Sequence, residues 1–167
     1  MGMAIALLAA SLARPCVVAA ERPLAPVPTA EKLCGIVSDL KARLQISEPV
    51  VVSLVRHSAL MMSIGPARHG GSFQLEIDAT FLARLTDEEL EAAIAHELGH
   101  AWLFTHHPYL QTEELANQIA MRVVTRATLE RLYGKVWKHG ATRAELASML
   151  GPEPRAAAGL AADSPEP

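Results

Sequence analysis

The apolar positions along this chain change period three times. Val50–Val55 is an unbroken β-branched and apolar run, Ala59–Ile64 is a second, and Phe73–Asp78 alternates Phe73, Leu75 and Ile77 with Gln74, Glu76 and Asp78. Runs of that length predict three short strands, with Gly65-Pro66 and Gly70-Gly71 punctuating the last two. Helical spacing flanks them. Upstream, Leu33, Ile36, Val37, Leu40 and Leu44 follow Thr29, a good capping residue, and Pro49 enforces the helix end. Downstream, Thr86 with Glu89 three residues on forms a capping box, and Leu90, Ala93, Ile94 and Leu98 give the helix an apolar face until Pro108. A further helix is expected from Thr112, through Leu115, Ile119, Val123, Leu129 and Leu132, to Gly134, and a last short one over Thr142–Leu150. The pattern predicts an α+β fold, a sheet of three or more strands packed on helices.

The two ends read differently. Ala4–Ala13 is an uncharged apolar run followed by Arg14-Pro15 and small residues ending in Val18-Ala19-Ala20, a pattern resembling a secretory signal peptide cut after Ala20. The expected organisation is therefore a signal at 1–20, one domain at 21–151, opened by a lead-in broken at Pro23, Pro26 and Pro28, and a disordered tail at 152–167. Export to the periplasm or medium follows, without stable membrane embedding after cleavage; cytoplasmic residence is the alternative if residues 1–20 are no signal. Cleavage after Ala13 would instead keep Cys16 and permit a Cys16–Cys34 disulfide.

Composition narrows the picture further. Half of the 167 residues are apolar but only 4% are aromatic, so the core is aliphatic, and the length suits one domain. A formal net charge of -3 provides no field for phosphates, which argues against nucleic acid as a partner.

The chemistry is concentrated in His96-Glu97-Leu98-Gly99-His100, an H-E-x-x-H sequence inside the helix opened by Thr86. At helical pitch the two imidazoles point within about 40° of each other and lie about 6 Å apart along the axis, so they can share one zinc ion. Glu97 is beside them, placed to act on a metal-held water as general base. Gly99 costs about 1 kcal/mol in a helix interior unless close packing needs it. A catalytic zinc takes a third protein ligand, for which His106, His107, Glu113 and Glu114 are candidates. Leu103 stands where a metzincin would have glycine, although His106 matches the histidine that follows. Glu113 and Asn117 share a face of the next helix.

With these residues in view, the chain resembles the gluzincin peptidases, whose H-E-x-x-H is followed by E-x-x-x-D on the next helix. The stretch from Val50 through Thr86-Asp87-Glu88-Glu89-Leu90 to His100 is similar in particular to the family of the CAAX prenyl proteases and the bacterial heat-shock membrane protease, in a minimal form with only twelve residues between His100 and Glu113. The resemblance implies a zincin-like fold with the metal between the two helices, His96, His100 and Glu113 as ligands, and a zinc-dependent metalloendopeptidase acting on a peptide or protein. Asn117 stands where most members have aspartate, and is expected to accept the far proton of a ligand histidine without a charge; by that reasoning Asn117→Asp would tighten zinc. Donors to an oxyanion are sought among Tyr109, His106, His107, Tyr133 and His139. The competing functions are a non-catalytic zinc-binding or chaperone-like module and, without a signal, a cytosolic repressor-cleaving regulator.

Overall fold

The computed structural model describes residues 18–20, 28–68, 70–137 and 142–152. They form an α+β unit: β1 (Val18–Ala20), α1 (Ala30–Leu44), β2 (Val50–Val55), β3 (Met62–Pro66), β4 (Phe73–Asp78), α2 (Ala79–Leu82), α3 (Asp87–His106), α4 (Glu113–Ala120), α5 (Arg126–Val136) and α6 (Arg143–Leu150). The sheet is mixed, in the order β1-β2-β4-β3. β2 is parallel to both its neighbours, whereas β3 runs antiparallel to β4, with Ile64 opposite Leu75, and forms one edge.

Thr29 caps α1, whose Leu33, Val37, Leu40 and Leu44 are buried as their spacing requires. α3 is the central element: the capping box of Thr86 and Glu89 starts it, and it packs on α1, α4, α5 and β3. Its Ala92, Ala93, Ile94, Ala95, Leu98, Gly99 and Ala101 are buried on several sides, so the helix that bears the histidines is held by the core rather than lying on the surface.

Several boundaries differ from the apolar pattern. β3 begins at Met62 and not at Ala59, because Ser58–Met61 form a turn closed by Met61 N–H to Ser58 O, with Met61 at φ 60°. Asp78 ends β4 and also caps α2, an element the alternation did not suggest; one carboxylate oxygen accepts from Phe81 N–H and the other from Ser58 N–H, both at 2.8 Å. The single helix expected from Thr112 to Gly134 is two. α4 stops at Ala120, and Thr125 caps α5 by accepting from Thr128 N–H. The β-branched run Val123-Val124-Thr125 disfavours helix continuation, and Arg43 satisfies the exposed carbonyl of Val123 at 2.6 Å. Gly134 is therefore interior to α5.

The proposed cut after Ala20 falls at the end of β1, so it would remove that edge strand and leave β2, β4 and β3 paired. The remainder of 1–20, including Cys16, and the tail beyond Pro152 lie outside the described residues. Among the described residues no helix is long and apolar enough to cross a membrane.

Candidate functional site

His96 and His100, one turn apart on α3, stand edge to face with ring centroids 4.9 Å apart. Glu113 opens α4, capped by Thr112, and reaches across: its two carboxylate oxygens lie 3.2 Å from His96 Nε2 and 3.5 Å from His100 Nε2. Ligating atoms from the three residues all fall within 4.8 Å of one another. Zinc bonds of about 2.0–2.1 Å at tetrahedral angles demand ligand separations of about 3.3–3.4 Å, which the two measured contacts nearly match.

The remaining ring nitrogens have partners of their own. His96 Nδ1 lies 2.9 Å from Asn117 Oδ1, and His100 Nδ1 lies 3.4 Å from Gln111 Oε1. With a metal bound, outer acceptors of this kind would leave the Nε2 lone pairs free to coordinate it. The donor set therefore fits a zinc ion, which His96, His100 and Glu113 would hold with a fourth corner open to solvent.

Those three residues and Glu97 line a cleft of about 390 Å³, together with Met62, Ser63 and Ile64 of β3 and the apolar side chains of Phe81, Ala93, Leu132 and Val136. Burial raises the Glu97 carboxyl above its ordinary range, against the attraction of the two imidazoles and a hydrogen bond from Ile64 N–H. Hydrogen bonds from His100 and then His96 hold the Glu113 carboxyl far below the usual carboxylate range. Burial disfavours charge on His100, but the hydrogen bond and charge of Glu113 outweigh it and raise its pKa. The Tyr133 hydroxyl, chiefly through burial, is pushed up to about 12.

The other candidates separate cleanly. Glu114 points along α4, where its carboxylate accepts from Gln118. His106 stacks on Trp102 with centroids 4.0 Å apart and bonds to the Trp102 carbonyl, while His107 tilts against the same indole, so neither joins the cleft. Tyr109 is 98% exposed and is not part of the cleft wall. Tyr133 does line it, but its hydroxyl donates to Asn117 Oδ1 at 3.0 Å. His139 lies outside the described residues.

Sequence reasoning missed Gln111, the apolar wall of Phe81, Leu132 and Val136, and the part played by Met149, whose carbonyl accepts from Asn117 Nδ2 at 2.9 Å. Only Gln111 carried a local hint, being the residue before the Thr112 cap. No family model, no curated protein and no solved structure matches the chain, so the reading of this site rests on its own geometry.

Proposed function

We propose that the protein is a zinc-dependent metallopeptidase of minimal zincin-like architecture. The observation that carries this reading is the grouping of His96, His100 and Glu113, whose ligating atoms lie within 4.8 Å of one another, in the lining of an open cleft with Glu97 beside them. When bound there, zinc would activate a water and polarise a carbonyl.

The chain's own residues do the rest. Glu97 takes the proton of the attacking water and returns it to the leaving amine. The Ile64 N–H of β3 holds the half-buried carboxylate in place. β3 is a sheet edge whose Met62, Ser63 and Ile64 face the cleft, a surface on which an extended peptide can add as a further strand. The wall of Phe81, Ala93, Leu132 and Val136 gives an apolar side chain of that peptide a place to be buried beside the scissile bond.

Zinc content and hydrolysis of a mixed peptide library, measured together, test the reading. The wild type should hold one zinc per chain and cleave; His100→Ala should lose the metal. Glu97→Gln preserves shape, keeps the metal and should slow cleavage about 10²-fold or more. Unchanged turnover in Glu97→Gln removes the mechanism, and a metal-loaded wild type that cleaves nothing points to the non-catalytic module.

A further inference from the structure

We infer that the backbone carbonyl of Met149, at the end of α6, locks Asn117 in one orientation and thereby makes His96 donate to it from Nδ1, so that this fold requires an amide and not a carboxylate at position 117. Asn117 is fully buried. Its side chain has three partners: Met149 O at 2.9 Å from Nδ2, and His96 Nδ1 and the Tyr133 hydroxyl at 2.9 and 3.0 Å from Oδ1. A peptide carbonyl can only accept, so the amide nitrogen must face Met149. Flipping the amide would set two acceptor oxygens against each other at a fully buried side chain, with the desolvation cost of both uncompensated.

The rest follows by elimination. With Nδ2 committed to Met149, Oδ1 is the atom that faces His96, and it can only accept. His96 must then donate from Nδ1, which leaves Nε2 as the nitrogen turned to Glu113 and to the place where a metal would bind. Tyr133 uses the second lone pair of Oδ1, so its hydroxyl is engaged in positioning rather than available to an oxyanion.

α6 is itself clamped in place. Leu150 is fully buried, and Arg126 Nη1 donates to Gly151 O at 2.5 Å. Gly151 stands at φ 64° and ψ -170°, a backbone conformation confined to glycine, so a side chain there would strain the end of α6 even though the nearest atoms, Gln118 Nε2 and Glu114 Cγ and Oε1, belong to side chains that can move. An aspartate at 117 would aim a carboxylate oxygen at the Met149 carbonyl across this closed contact. The advantage of a charged partner for the histidine, expected from the E-x-x-x-D pattern, is thus reversed by α6.

The affinity arm of the test rests on the proposed zinc site, whereas the NMR arm does not. Nitrogen-15 NMR of the full-length, zinc-free wild type should report a proton on His96 Nδ1; a form protonated on Nε2 alone overturns the proposal. Chelator competition should show Asn117→Asp and Gly151→Val each binding zinc about 10–100-fold more weakly than wild type. The double variant should bind more tightly than Asn117→Asp alone, because lifting α6 removes the opposing carbonyl, a sign reversal that two independent structural losses would not produce. Tighter zinc in Asn117→Asp, or simple addition of the two losses, also overturns it. Should a variant lose its circular dichroism, the wild-type NMR result decides. A wild type that binds no zinc at all would remove the peptidase reading and leave the NMR result standing.

Discussion

Gly99 and Ala116 are in backbone contact: a Cβ built on Gly99 would meet the carbonyl oxygen of Ala116 well inside any real carbon–oxygen separation, and the Ala116 Cα at 3.1 Å. The contact lies between the two histidines on α3 and one turn after Glu113 on α4. It fixes the spacing across which Glu113 reaches both imidazoles.

Gly99→Ala should therefore push α3 and α4 apart. A generic Gly→Ala change in a helix gains about 1 kcal/mol, but overpacking against rigid backbone costs about 1–3 kcal/mol. Net destabilisation of up to about 2 kcal/mol in urea unfolding, with zinc affinity at least about 10-fold weaker, is the expected result. A stabilised variant with unchanged affinity would show that the two helices are free to adjust.

Glu113→Ala should cost more than about 100-fold in zinc affinity, beyond the usual effect of losing an outer partner. Glu114→Ala and His106→Ala should stay within about twofold, since their side chains bond to Gln118 and to the Trp102 carbonyl. Chelator competition across the three variants measures this. Equal losses at Glu113 and Glu114, or a larger one at His106, would move the third ligand.

Two buried carboxylates predict the acid limb of stability. Burial opposes charge on Glu89, but its bonds from Lys135 at 2.6 Å and from Thr86 outweigh it and lower its pKa; Asp78 is lowered likewise by the backbone N–H groups of Phe81 and Ser58. A folded pKa below the unfolded value means stability that is complete above about pH 4 to 5 and lost as pH falls through the folded values. Glu89→Ala should remove about 1–3 kcal/mol at neutral pH, through the lost cap and the lost partner of Lys135. It should also flatten the decline between about pH 5 and 3. Urea unfolding at several pH values checks both, and an acid limb identical to wild type would place the sensitive groups elsewhere.

Helical periodicity turned spacing into geometry wherever the relevant residues lay within a turn or two of one another. His96 and His100 share a face because they are four apart, Glu113 and Asn117 do so for the same reason, and the capping threonines Thr29, Thr86 and Thr112 announced themselves by type and position. The apolar runs likewise marked β2 and β4 to the residue, since a strand buried on one or both faces has few polar options.

Where one apolar pattern fitted two outcomes, local periodicity stopped short. Residues 113–136 carry helical spacing throughout, yet α4 ends at Ala120 and Thr125 starts another helix, and the Val123 carbonyl freed by that break is met by Arg43 eighty positions away. The order β1-β2-β4-β3 was equally out of reach, because nothing in a strand's own residues names its neighbour.

By itself, then, the chain determined which residue types stand one helical turn apart, and with that the proposed ligands and base. Tertiary structure alone decided what surrounds them: the Ala116 carbonyl that only Gly99 admits, the apolar wall from α2 and α5, and the Met149 carbonyl that orients Asn117. The physical reason is range. Helix geometry acts through bonds over four residues, whereas an amide buried between α3, α5 and α6 takes its orientation from an acceptor thirty-two residues away, through a contact that exists only once the core has closed.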